Sequence, residues 1–182
     1  MFGAGMKFIK RIARAALGED GSATVEFVII FPAIMTIFLS SFEVSIYLTR
    51  AVLLDRALDL NVRLLRLGAM EPSTPEELKR RVCDDALIFD DCMSAMMIEL
   101  TTVSTSDWTL PNAQITCVDR GEDEDMQPAV TFNKGTVNDL MLVRACTILD
   151  PFFGTTPLVM QLPVDDTGGY AVAAASTFVN EP

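Results

Sequence analysis

Four cysteines, Cys83, Cys92, Cys117 and Cys146, are the side chains of this sequence best suited to covalent chemistry. No C-x-x-C pair is present and the chain has no histidine, so nothing completes a zinc site, and disulfides are the expected chemistry. Four cysteines allow three connectivities. The favoured one pairs Cys83 with Cys92, closing a loop from a short helix, and Cys117 with Cys146, joining two strands. The lack of histidine also removes Ser-His-Asp and Cys-His catalysis and the commonest near-neutral proton carrier. The acidic groups Asp84-Asp85, Asp90-Asp91 and Glu122 to Asp125 lack the D-x-[DN]-x-[DN]-G spacing of a calcium loop and read as solvated faces. Gly168-Gly169 marks a turn, because no G-x-x-x-x-G-K-[ST] phosphate loop surrounds it. Met93, Met96 and Met97 read as core or contact filler, and Trp108 as a half-buried core residue in preference to a partner anchor. The chain is therefore not expected to be an enzyme or to carry a cofactor or metal.

These residues need elements to position them, and the most conspicuous element is apolar. The chain has 182 residues, 25 acidic against 14 basic, and a net charge of −11, which repels nucleic-acid phosphate and speaks against nucleic acid as a partner. A hydrophobic share of 50% is too high for an acidic water-soluble domain unless it is concentrated. It is concentrated between Glu26 and Glu43, where Phe27 to Phe42 carries no charge. As a helix this run rises about 24 Å, short of a hydrocarbon core of about 30 Å. Continuation past Glu43 through Val44, Ile46, Tyr47 and Leu48 supplies the missing turns and predicts a transmembrane segment at about 27–48. Lys7, Lys10, Arg11 and Arg14 precede it and the next cation is Arg50, so the amino end is expected in the cytoplasm and everything after about residue 50 outside it. That side is oxidising, in keeping with disulfides. A cleaved secretory signal is the rival reading, disfavoured by the long apolar run and the lack of a small-x-small site; a buried soluble helix is the other.

Leu54, Leu58 and Leu65 with Ala57, Leu60 and Leu64 extend a helical stripe, and Asp59 with Arg63 has the i, i+4 order favoured on an exposed face. One helix is predicted from about 23 to 67, ending at Gly68 with Pro72 beyond, and Pro32 should kink it. Thr74-Pro75-Glu76-Glu77 predicts a second helix to about Ala86 or Leu87, with Thr74 as N-cap and Glu77 closing a capping box. Strands are predicted at Met96 to Val103, Ala113 to Val118, Ala129 to Phe132, Met141 to Leu149 and Tyr170 to Val179. The expected fold is α+β: a long amino-terminal transmembrane helix running into a small disulfide-linked domain with a short helix and a mainly antiparallel sheet. The chain divides into a leader (1–21), the long helix (22–68) and an exported globular domain (69–182).

A specific order of residues stands at the start of the apolar run. The basic leader ends in Gly21, followed by Ser22-Ala23-Thr24-Val25, Glu26 and Phe27. This resembles the processing site of type IV prepilins, where a membrane aspartic peptidase cuts after the glycine on the cytoplasmic side and leaves glutamate as fifth residue of the mature protein. Within that class, ATVEFVIIFPAIM is similar to the TadE-like pseudopilins of the tight-adherence (Tad/Flp, type IVc) pilus system, and the closing segment Ser176 to Pro182 resembles theirs as well. Between these ends the similarity is diffuse.

The resemblance implies a minor pilin needed for assembly of an adhesive pilus, cut between Gly21 and Ser22 by a prepilin peptidase. Its further partners would be other Tad pseudopilins, the major pilin, the inner-membrane assembly platform and membrane lipid. It would cross the bacterial inner membrane once, with a cytoplasmic amino end and a periplasmic carboxyl-terminal domain, and enter the pilus. Gly21 lets a peptidase cleft approach the backbone. Glu26 would cost about 2.5–3.5 kcal/mol at the centre of a membrane helix, so a partner is expected, and the resemblance supplies the new amino terminus at Ser22 of the same or a neighbouring subunit. The plainer reading makes Glu26 a helix-start carboxylate favoured by the helix dipole. The alternative function, from another class, is an unprocessed, permanently anchored periplasmic adaptor or adhesin. A membrane-tethered hydrolase lacks a catalytic constellation.

Overall fold

The computed structural model describes residues 22–70, 74–86, 91–108, 115–122, 127–157, 159–162 and 164–181. Gly21 with the rest of the leader, Pro72, Leu87, Asp90, Ala113 and Asp123 to Asp125 lie outside the described residues. The chain separates into one unit that ends at Ser41 and a second that runs from Phe42 to Pro182.

Helix α1, Ser22–Arg66, belongs to both. In the first unit it is apolar all round and uncovered, with Val25, Phe27, Ile29, Ile34, Ile37 and Phe38 exposed. A helix apolar on every side needs a non-aqueous surround. In the second unit the apolar residues narrow to a stripe, and Leu54, Ala57, Leu58 and Val62 are buried at helical spacing. The helix stops as predicted at Gly68, whose φ of +62° suits a residue without a Cβ. The Ala69 N–H donates to Leu64 O and the Gly68 N–H to Leu65 O, which closes the end as a Schellman motif.

Helix α2, Pro75–Ala86, begins where the Thr74 hydroxyl accepts the Glu77 N–H at 3.2 Å. The return half of the expected capping box does not form. The Glu77 carboxylate turns along the helix instead, accepting Arg81 Nε at 2.6 Å and Arg80 Nη2 at 2.6 Å, and these two guanidinium groups lower its pKa. Leu78, Val82 and Ala86 form the buried face of α2. Its Cys83 is bonded to Cys92 at the start of the one-turn helix α3, Cys92–Ala95.

Three strands, β1 (Met96–Val103), β2 (Leu140–Leu149) and β3 (Tyr170–Val179), make an antiparallel sheet in the order β1-β2-β3. The register aligns Ile98 with Ala145 and Ala145 with Ala174, one row further on Leu100 with Val143. Period-two alternation sends these residues to one face, where they meet the buried stripes of α1 and α2 in a single core. The fold is thus α+β: a long amino-terminal helix, then a domain with a short helix, an antiparallel sheet and two disulfides.

Among the described residues, two predicted strands do not form. Ala129 to Phe132 contributes one parallel bridge, Phe132 to Leu100. Its chain crosses the free edge of β1 for a single residue and then turns at Gly135, φ +64°. Ile115 to Val118 joins no ladder. Cys117 within it is bonded to Cys146 on the second face of β2, so a covalent link fastens this segment where strand pairing was expected. That second face also buries Arg144, whose guanidinium donates to Glu99, its cross-strand neighbour, at 2.7 Å.

Candidate functional site

Of the residues singled out for processing and assembly, Gly21 lies outside the description, Ser22 is the first residue of α1, and Glu26 stands one turn further on with its side chain exposed. The helix continues through Pro32. Proline has no N–H to give the carbonyl four residues back, so Val28 loses its intrahelical donor. Two hydroxyls on this stretch are satisfied internally: Thr36 donates to Pro32 O and Ser41 to Ile37 O, each at 2.8 Å. Hydroxyls bonded to their own helix make little demand on an apolar surround. By length and composition α1 can cross a membrane, and its most apolar window is wholly uncovered.

A second cluster, not foreseen from the sequence, is built where the helix enters the second unit. Glu43, past which the apolar span was expected to continue, is 1% exposed. Its two carboxylate oxygens accept backbone N–H groups of the loop that follows β2, Oε1 from Phe152 at 3.3 Å and Oε2 from Phe153 at 2.9 Å. A buried carboxylate needs such donors. Two turns later Arg50 Nη1 donates to Asp150 O at 2.9 Å and to the Tyr170 hydroxyl at 2.6 Å. Burial raises the Tyr170 pKa, against the pull of Arg50. Aromatic rings fill the space between: Phe42 meets Phe153 edge-on at 5.9 Å, Tyr47 meets Tyr170 at 5.4 Å, and the Arg50 guanidinium lies 5.4 Å from the Phe152 ring centre. The sequence signals for this cluster are an acid directly after an apolar run, the first cation beyond it, and two adjacent phenylalanines between Pro151 and Gly154.

Elsewhere charge serves the fold. Arg120 donates to Asp150 Oδ1 at 2.8 Å and to Asp165 Oδ2 at 3.0 Å. Asp165 is held at about 2: burial opposes its charge, but Arg120, the Thr167 hydroxyl and the Gly169 N–H outweigh that penalty. Gly168, at φ +87°, and Gly169 make the predicted turn, and a Cβ at Gly169 would run into the Arg120 guanidinium. Asp59 accepts the Ser176 hydroxyl at 2.8 Å, tying α1 to β3, where an intrahelical pair with Arg63 was expected. Trp108 is 69% exposed with φ +51°, which corrects its expected place in the core. Both cysteine pairs lie in the second unit, Cys83 with Cys92 and Cys117 with Cys146, at Cα separations of 5.7 and 5.1 Å. Among the described residues no group of three His, Cys, Asp or Glu side chains could hold a metal ion.

The arrangement thus provides an exposed apolar helix face, Ala23 to Phe42, and, in the second unit, a buried carboxylate at Glu43 held by backbone N–H groups. No curated protein and no solved structure matches the chain. Residues 21–59, from the glycine before α1 to Asp59 in its second half, match the model of the family described as TadE-like protein, and over that stretch the chain is similar to that family.

Proposed function

We propose that this chain is a pseudopilin of a Tad-type adhesive pilus. The match to the TadE-like family supports a pilus-associated protein with a structural role, anchored by its one long apolar helix. In the finer reading a prepilin peptidase cuts between Gly21 and Ser22. The helix face from Ala23 to Phe42 then packs against other Tad pseudopilins and the major pilin on the inner-membrane assembly platform. The amino end faces the cytoplasm and the disulfide-bonded domain the periplasm.

The observation that carries this reading is the run of exposed, apolar side chains along α1, beginning with a single carboxylate, Glu26, one turn after Ser22. A bilayer can cover such a face while the subunit waits, and neighbouring helices can replace lipid at little cost, because both are equally apolar. The positive amino terminus left at Ser22 after cutting would neutralise Glu26 in its own or a neighbouring subunit.

Intact-protein mass spectrometry tests the reading. The chain made with the peptidase should lose residues 1–21, and the Gly21→Leu variant should keep them. Full-length wild-type protein in the presence of an active peptidase would favour an unprocessed anchored adaptor.

A further inference from the structure

An outer strand carries one row of N–H and C=O groups that its own sheet does not use. The two outer strands of the second unit treat that row differently. At β1 the passing chain fills its middle: the Leu100 N–H donates to Thr131 O at 2.9 Å, and Leu100 O accepts the Asn133 N–H at 2.8 Å. At β3 the bridge stops at the first residue, where Val164 pairs antiparallel with Tyr170 and the Asp165 N–H donates to Gly169 O at 2.8 Å. Because β2 holds the other side, Gly169 marks the outward set, and by alternation Ala173, Ala175, Thr177 and Val179 turn their backbone groups outward as well. Among the described residues no other segment takes up these groups. The usual protections of an edge are missing too: Tyr170–Val179 has no charge, no proline and an unbroken register without a bulge. The four side chains are exposed and small or β-branched, which lets a further strand lie close.

The flank of α1 beside this edge is marked by Asp59, which accepts the Ser176 hydroxyl. Val52 and Asp55 stand two turns and one turn earlier on the same flank, and both are exposed. Two copies of this chain do not suit the edge. The chain enters the second unit at the Tyr170 end of β3, where Arg50 donates to the Tyr170 hydroxyl. A two-fold pair of β3 strands runs antiparallel and sets the two entry points at opposite ends, which chains anchored in one membrane cannot adopt; this step rests on the reading of α1 as a membrane span. Pairing β3 with β1 of a copy instead meets the chain at Thr131 to Asn133.

We propose that the outer edge of β3, from Ala173 to Val179, receives a strand from another protein, an extended segment with apolar or basic side chains and no acidic ones. The net charge of −11 and the carboxylates of Asp55 and Asp59 speak against an acidic segment. Main-chain hydrogen bonds would supply the affinity, and the flank of α1 the selectivity.

The oxidised full chain is placed in lipid nanodiscs, and amide exchange is read with and without a probe, an end-capped peptide of alternating valine and threonine flanked by lysine. Without peptide the amides of Ala173, Ala175, Thr177 and Val179 should exchange fast, beside slow ones at Val172 and Ala174; excess peptide should slow the four by about tenfold or more. The peptide N-methylated at every valine and threonine should not slow them, and glutamate in place of the flanking lysines should weaken the effect. Amides already slow before peptide is added overturn the proposal, and slowing that rises with the number of chains per disc gives the edge to a second copy. Exchange unchanged by the peptide overturns it as well, as does slowing that survives N-methylation, which is side-chain contact without strand pairing. Equal slowing by the glutamate-flanked peptide overturns the charge preference. A chain that fails to enter the discs overturns the membrane span and the exclusion of a second copy that rests on it. None of these readings depends on cutting after Gly21, so failure at the edge leaves the pseudopilin reading standing.

Discussion

Asp165 carries the clearest electrostatic signature in the domain, and its consequence is a dependence on acid. Its pKa of about 2 lies below the ordinary carboxylate value, so the folded state is favoured by ionisation. That contribution is present above about pH 4 and is lost as pH falls through the folded value. Asp165 is partly solvated, so after allowance for screening Asp165→Asn should cost about 1–2 kcal/mol at neutral pH and little near pH 2. Urea unfolding of the oxidised protein in detergent at both pH values measures this, and an equal loss at both would assign the effect to packing. Glu26 makes an opposite kind of demand. Glu26→Gln renders α1 more apolar, so membrane insertion should survive or improve, by no more than the roughly 2.5–3.5 kcal/mol of a centrally placed acid. Cutting after Gly21 should survive too, while crosslinking to other pilin-like helices falls, because a buried ammonium at Ser22 would lose its counter-charge. Wild-type crosslinking would reduce Glu26 to a helix-start residue.

Each half of α1 answers to a different surround, and core substitutions should separate them. Leu58→Ala, in the fully buried stripe, should destabilise the domain by about 2–5 kcal/mol. Ile37→Ala, in the exposed run, should leave the domain's unfolding midpoint unchanged. On α2, Thr74→Ala removes the oxygen that receives the Glu77 N–H and should cost about 1 kcal/mol. Denaturant midpoints of the three variants in one detergent check all of these, and an Ile37→Ala loss equal to that of Leu58→Ala would mean that both halves belong to one packed core. These helices were legible in the sequence because their signals are local: Gly68 at one end, Thr74-Pro75 at another, and apolar residues at helical spacing between. Strands β1, β2 and β3 were legible from their apolar, β-branched composition. The segments at 113–118 and 129–132 have similar composition, yet what anchors the described part of one is a disulfide to Cys146 and what anchors the other is a single bridge to Leu100. Neither pattern leaves a trace in neighbouring residues. The burial of Glu43 was not legible for the same reason, since its two donors lie 109 and 110 positions away.

For the whole molecule, both disulfides lie in the second unit, and the protein should show no reactive thiol, folded or unfolded, until it is reduced. Labelling of two or more cysteines in the unreduced, folded protein would contradict the pairing. Reduction should also release the segment around Cys117 from the second face of β2, because among the described residues it joins no strand ladder. The ties between α1 and the end of the sheet lead further. Arg50 reaches Tyr170 across 120 positions and Asp59 reaches Ser176 across 117. At a synthesis rate of about 5–20 residues per second, the stripe of Leu54, Leu58 and Val62 exists for roughly ten seconds before β3 has even been made. Contacts of such long range also close slowly. The nascent chain therefore passes through a period in which its helix is complete and its sheet is not, with a greasy seam open to proteases and to the wrong neighbour. Whatever shelters that seam during those seconds decides how much of the protein reaches its finished form.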